Sequence, residues 1–204
     1  MLLVIIAAMI VGSPYWALYQ LKNAYNAKNA TTINHYIDFP SVQSNLKQQL
    51  KSALIPKVKT LTSLPILQAL NINIDADAIV TKMINQAVDN TVTANGVKSL
   101  LNGQSSVANL DNNAKLLGGL TAVAMDKIEV KALITARGQD ELMHKITEQL
   151  SRPNPNAIPI KDTATYCGFN CFAVQTQVKG YPITVTMQRQ GLINWKIVGI
   201  KLPF

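Results

Sequence analysis

Eleven of the first twelve residues, Met1 to Gly12, carry apolar side chains, and no charge appears before Lys22. A helix of about 20 such residues spans the roughly 30 Å core of a bilayer. Tyr15, Trp16 and Tyr19 follow the run, where an aromatic belt would meet lipid headgroups. Pro14 marks a kink or an end of the first helix. After it, Leu18, Leu21, Ala24 and Tyr25 recur at spacings of three and four, which predicts a helix over residues 15–29. Asn29 to Thr32 then supply cap residues for a short helix through Ile33, Tyr36 and Ile37. Asp38 followed by Phe39-Pro40-Ser41 is helix-start chemistry, a carboxylate cap with proline in the first turn. The helix it opens sets Val42, Leu46, Leu50, Ala53 and Leu54 against a polar face with Lys47 and Lys51, and should stop before Pro56.

Residues 57–74 read as two turns or short helices around Pro65. Asp75 opens a long helix through Ile79, Met83, Ile84, Ala87 and Val88, followed by a short turn of helix at Val97, Leu100 and Leu101. Residues 102–115 read as a polar loop, and 116–125 fit helix or strand equally. From Lys127 the period changes to two. Ile128, Val130, Ala132 and Ile134 predict a strand, and Asp140 to Leu150 a helix. Pro153, Pro155 and Pro159 form a stiff connector. Three alternating runs close the chain, Phe172–Val178, Tyr181–Gln188 and Ile193–Leu202, with turn signals at Lys179-Gly180 and Gln190-Gly191. The predicted class is α+β: a membrane-anchor or signal segment over 1–21, then one domain over 22–204, helical to 125 and sheet-rich from 126, with an antiparallel sheet of three or four strands.

The opening run admits three readings: an uncleaved anchor, a secretory signal with Leu2–Val11 as its apolar region, or a core helix of a soluble fold. No Lys or Arg precedes it, and Ala7-Ala8-Met9 and Val11-Gly12-Ser13 match a small-residue cleavage site poorly, which favours the anchor. The anchor implies contact with membrane lipid and a single-pass inner-membrane protein with its domain on the periplasmic side. The lysines that follow the run, Lys22, Lys28, Lys47, Lys51, Lys57 and Lys59, argue for the cytoplasmic side instead.

Apolar residues make up 48% of the 204 and charged residues 15%, a balance that excludes a disordered chain. The net charge is +8, of which +5 falls between Ser13 and Thr60. Those lysines are dispersed, as on solvated helix faces, and form no polybasic tract. With three Arg and no interleaving of basic and aromatic residues, nucleic acid is not an expected partner. Cys167 and Cys171, in Cys-Gly-Phe-Asn-Cys, would pair in an oxidising compartment and stay reduced in the cytoplasm. Their three-residue spacing departs from the redox motif.

Candidate chemistry is sparse. Ser44 and Lys47 fit the S-x-x-K pattern of acyl-transfer enzymes without its companion motifs, and Lys47 lies on a polar helix face. Glu141, His144 and Glu148 share one helix face, an arrangement more often a salt-bridged surface than a metal site. Trp195 reads as core, His35 stands alone, and Gly118-Gly119 lacks a phosphate-loop context. No catalytic residue, metal or cofactor is assigned.

The stretches Ser13-Pro14-Tyr15, Leu21-Lys22-Asn23-Ala24 and Ile37-Asp38-Phe39-Pro40, with the closing Gly191–Val198 segment around Trp195-Lys196 and Leu202-Pro203, resemble an uncharacterised bacterial envelope family, a domain of unknown function. The resemblance runs in order along the chain and is strongest at its ends. It implies a bacterial membrane-associated protein and assigns no activity. The helices-then-sheet plan is also loosely similar to cone-shaped folds of the nuclear-transport-factor type, an analogy of fold alone. The expectation is an anchored, non-catalytic binding domain with a protein partner in the envelope. The alternatives are a carrier of a small apolar ligand, with a pocket lined by Ile183, Val185 and Trp195, and a hydrolase built on Ser44 and Lys47.

Overall fold

The computed structural model describes residues 1–62, 75–102, 112–128, 144, 148 and 152–204. Among them are six helices, α1 Leu2–Asn26, α2 Ala30–His35, α3 Phe39–Thr62, α4 Ala76–Thr91, α5 Ala94–Leu101 and α6 Asn112–Ala124. Four strands follow, β1 Thr163–Gly168, β2 Cys171–Val178, β3 Tyr181–Gln190 and β4 Asn194–Lys201, in an antiparallel sheet of order β1-β2-β3-β4. The α+β class holds, with a helical N-terminal half and a C-terminal sheet.

The chain forms two compact units, interleaved in sequence: Met1–Asn45 with Val92–Ser105 and Asn154–Pro203, and Leu46–Thr91 with Ser106–Pro153 and Phe204. The first contains the sheet, α1, α2, α5 and the opening turns of α3. Its buried centre is Ala17 from α1 with Phe172, Met187 and Trp195 from β2, β3 and β4, flanked by Leu18, Leu21, Tyr36, Ala164, Val174 and Ile197. Phe172 and Trp195 lie 6.1 Å apart, and Tyr166 packs edge-on to both. The two-residue turn at Lys179-Gly180 takes left-handed backbone at both positions, as a tight hairpin demands.

The open edge of β4 is covered. Tyr36 O accepts from Ile197 N at 2.7 Å and Asp38 N donates to Ile197 O at 2.9 Å, making a parallel bridge between Ile37 and Ile197. The ladder between β3 and β4 slips between Thr186 and Met187, which pair with Gly199 and Ile197, so that Val198 is left over as a bulge. Beyond the bulge, Asn45 Oδ1 takes the next edge donor, Ile200 N, at 3.0 Å. Edge groups that would otherwise template another strand are thereby satisfied.

In the second unit, buried residues come from α3 (Leu46, Leu50, Leu54), α4 (Val80, Ile84, Ala87, Val88) and α6 (Leu120, Ala122, Val123, Ala124). Lys47 pairs with Asp89 at 2.5 Å and Lys59 with Asp77 at 2.9 Å. Lys57 reaches the C-terminus of α6, donating to Val123 O at 2.9 Å, Ala124 O at 3.0 Å and Asp126 at 2.6 Å. A cation there satisfies final-turn carbonyls and meets the negative end of the helix dipole.

Several boundaries differ from the sequence expectation. The apolar run and the following amphipathic helix are one helix, and α3 continues through Pro56. A proline inside a helix removes one donor and costs about 3 kcal/mol unless packing compensates. In α3 the buried Leu54 and the anchored Lys57 hold the chain on either side of Pro56, and Thr60 Oγ1 donates to Pro56 O at 3.0 Å. The expected loop over 102–115 ends early, because α6 begins at Asn112, and the ambiguous stretch 116–125 is helical through Ala124. Strand β1 is not among the three closing runs that the alternation predicts. It is an exposed edge strand of Thr, Ala, Tyr, Cys and Gly, with no apolar alternation to announce it. The strand expected from Ile128 and the turns around Pro65 fall largely outside the described residues. So does the helix at 140–150, of which His144 and Glu148 are helical and exposed.

Candidate functional site

Pro14 cannot donate to Ile10 O, so the backbone of α1 opens a polar gap inside an apolar helix. Ser13 fills it. Its Oγ donates to Ile10 O at 2.7 Å and accepts from the buried Trp195 Nε1 at 2.8 Å. One turn on, Tyr166 Oη donates to Val11 O at 2.9 Å and Tyr15 Oη to Ala164 O at 3.3 Å. The second half of α1 is therefore fastened to the sheet by its own proline defect. Ser13, Pro14, Ala17 and Ala24 are buried, whereas Leu3 to Met9 are exposed on every side. Among the described residues one helix, Leu3–Asn26, is long and apolar enough to cross a membrane.

Beside this junction lies a groove of about 530 Å³. Met9, Gly12, Ser13, Trp16 and Ala17 line it from α1, on one helical stripe. His35 and Tyr36 line it from the end of α2, and Ile193, Trp195 and Lys196 from the start of β4 and the turn before it. Its size falls within the ~300–1,000 Å³ of small-molecule sites, and its apolar and aromatic lining is interrupted by Ser13, His35, Gln190, Asn194 and one cation, Lys196. Gly12 faces open space: a Cβ there would meet nothing within 4 Å. Both tryptophans of the chain, Trp16 and Trp195, are in the wall.

Arg189 closes the adjoining end of the sheet. Its guanidinium carbon lies 4.9 Å from the ring centre of Phe169 and 4.7 Å from that of Trp195, and Nη1 donates to Leu192 O at 2.9 Å. Cys167 and Cys171 form a disulfide with 5.0 Å between their Cα atoms, bracketing the turn that carries Phe169.

The residues singled out from the sequence divide clearly. Asp38 caps α3, its Oδ1 accepting from Ser41 N at 3.2 Å, and Phe39 and Pro40 form the first turn behind it. Trp195 and Lys196 line the groove, whereas Leu202 and Pro203 stand half-buried apart from it. Ile183 and Val185, expected beside Trp195 in a pocket, are not among the groove's lining residues. Lys47 is held by Asp89, Ser44 is exposed, and Glu148 pairs with Arg152. Glu141 lies outside the described residues, among which no cluster of metal-ligating side chains occurs. Ser13, read from the sequence as part of the family-like Ser13-Pro14-Tyr15 stretch, and Arg189, not singled out there, carry the junction. A serine directly before a proline in an apolar helix is the signal that could have found the first.

The two ends of the chain that carry the family resemblance meet here: Ser13 bonds Trp195, and Asp38 bonds Ile197. Residues 3–100 match the family described as protein of unknown function, DUF2939. The DUF2939 match includes Ser13-Pro14 and Ile37–Pro40, and ends ahead of the Trp195-Lys196 and Leu202-Pro203 segments that stood beside them in the resemblance. Comparison with curated proteins and with solved structures gave no match.

Proposed function

We propose that this is a membrane-anchored domain of the bacterial envelope, held on the periplasmic side by a retained α1, with a non-catalytic binding role centred on the groove beside Trp195. The carrying observation is the division of α1. The side chains of Leu3 to Met9 are exposed, while Ala17 to Leu21 supply part of the sheet's core. Cleavage at the end of the uncharged stretch, past Leu18, would strip Ala17 and Leu18 from that core, which argues against a signal removed there. The disulfide supports an oxidising compartment. Of the lysines that argued for the cytoplasm, Lys47, Lys57 and Lys59 are engaged with Asp89, Asp126 and Asp77, and long domains translocate largely regardless of such charges.

The test is alkaline extraction of membranes combined with maleimide labelling of Cys167 and Cys171 in intact and permeabilised cells. The expected result is a chain that resists extraction, with thiols labelled only after permeabilisation and reduction. Extraction into the soluble fraction, or thiols free without reduction, would refute the anchor or the compartment respectively.

The lining of the groove favours a second reading, in which it holds a small amphiphile, with the apolar part against Met9, Trp16 and Ile193 and an anionic head toward Lys196. Because Trp16 stands exposed in its wall, titration with lauric acid below its micellar concentration should shift the intrinsic emission, and Gly12→Leu should abolish the shift. An unchanged spectrum would remove this reading.

A further inference from the structure

We infer that the turns 168–171 and 191–193 form a second membrane contact, a collar seated in the headgroup region of an anionic bilayer around the point where α1 leaves it. The inference rests on the reading of α1 as an anchor and adds a surface to it.

Both turns lie at the same end of the sheet, tied together by Arg189, whose backbone N donates to Asn170 O at 3.0 Å while its guanidinium holds Phe169 and Leu192 O. The same end sits against α1 at one level. Arg189 Nη1 is 3.5 Å from Ile10 O, Tyr166 bonds Val11 O, and Ile193 shares the groove wall with Met9 and Gly12. Ahead of that level the side chains of Leu3 to Ala8 are exposed.

The tips are apolar where tight turns ordinarily carry polar residues. Phe169 is 79% exposed, Leu192 72% and Ile193 56%. Three large apolar side chains presented together beside a bare apolar helix form one surface that water does not favour. Its electrostatics suit an anionic layer. From Thr163 to Phe204 there is no Asp or Glu, and of the four cations there, Arg189 and Lys196 stand at the collar end. The excess is a property of this unit, whose sequence ranges contain eight Lys and Arg against two Asp and Glu, compared with eleven against nine in the other. Aromatic and aliphatic side chains with flanking cations are the composition that lodges at a lipid headgroup boundary.

The test uses the full chain carrying Trp16→Phe and Phe169→Trp, reconstituted into vesicles of phosphatidylethanolamine and phosphatidylglycerol with brominated acyl chains. Trp195 is sealed in the core, so it supplies an unquenched reference. The expected result is that emission falls toward about half that in unbrominated vesicles, because the introduced indole reaches the lipid. A loss under about a tenth from a chain that still floats with the vesicles would overturn the collar and leave the anchor standing. A chain that fails to float would overturn the anchor reading, and the collar with it.

Discussion

Trp195 Nε1 donates to Ser13 Oγ at 2.8 Å across 182 residues of sequence, and that hydroxyl donates onward to the Ile10 carbonyl left free by Pro14. The chain of bonds joins the only indole in the sheet to the one backbone defect in α1. Both partners are buried, so neither can turn to water when the link is cut. Ser13→Ala is expected to cost about 2 kcal/mol, chiefly the desolvation of the orphaned indole N–H, since Ile10 O keeps Arg189 Nη1 at 3.5 Å, and to lower Tm by about 4–8 °C. Trp195→Phe placed on top of Ser13→Ala should cost less than it does alone, because the orphaned N–H has gone. Thermal unfolding of the four proteins in the cycle checks this, and strictly additive costs would show that the hydroxyl carries no coupling.

Lys57 makes three contacts of unequal worth. Asp126 is largely exposed, and an exposed pair contributes little. The carbonyls of Val123 and Ala124 belong to the last turn of α6, and beside the lysine Val123 O also accepts from Asp126 N at 3.1 Å. Lys57→Met should therefore cost about 1–2 kcal/mol and Asp126→Asn less than about 0.5 kcal/mol. Urea unfolding of both variants decides it. Equal costs would mean that the ion pair, rather than the helix terminus, is what the lysine serves.

Much of the fold is legible in the sequence wherever one local rule dominates. The stripes of α3 and α4, the caps at Asn29, Asp38 and Asp75, and the hairpin at Lys179-Gly180 stand where the pattern puts them. The prolines mislead because their cost is local and their compensation is not. Pro14 is tolerated through Ser13 and Trp195, and Pro56 through Lys57 and α6, partners far away in sequence. Strand β1 is unreadable for a related reason, since it takes its identity from pairing with β2 and brings to the core only half-buried Ala164 and the ring of the exposed Tyr166. Of the groove, Trp195 was visible as a core residue, but its second role depends on which helix covers it. The resemblance at the two chain ends held the hint, because the matching segments prove to be neighbours.

The disulfide closes a loop of only a few residues, so its contribution to stability should stay below the ~3 kcal/mol expected for a 15-residue loop. Reduction is expected to lower Tm by several degrees without dissolving the sheet, because Phe172, Met187 and Trp195 are packed by β2, β3 and β4. The loss should appear first in β1. Hydrogen exchange after reduction should show faster exchange for amides of 163–168, with those of β3 little changed. Uniform loss of protection across the sheet would show instead that the bridge holds the whole unit together.

The division of α1 predicts two opposite kinds of variant within one helix. Ile5 lies in the exposed half, and Ile5→Lys places a charge where the anchor reading requires hydrocarbon, at a cost below the ~2.5–3.5 kcal/mol of a bilayer-centre position. It should weaken membrane retention while leaving the Tm of the detergent-solubilised protein unchanged, since Ile5 is more than half exposed. Ala17 lies in the docked half against Phe172, Met187 and Trp195. Ala17→Leu should overpack that contact by about 1–3 kcal/mol and lower Tm, yet keep or raise membrane retention because it adds apolar surface. Alkaline extraction and detergent-phase unfolding of the two variants give a crossed pattern if the halves are independent. If Ile5→Lys lowers Tm as Ala17→Leu does, the first half of α1 is packed against protein, and the anchor must be sought elsewhere.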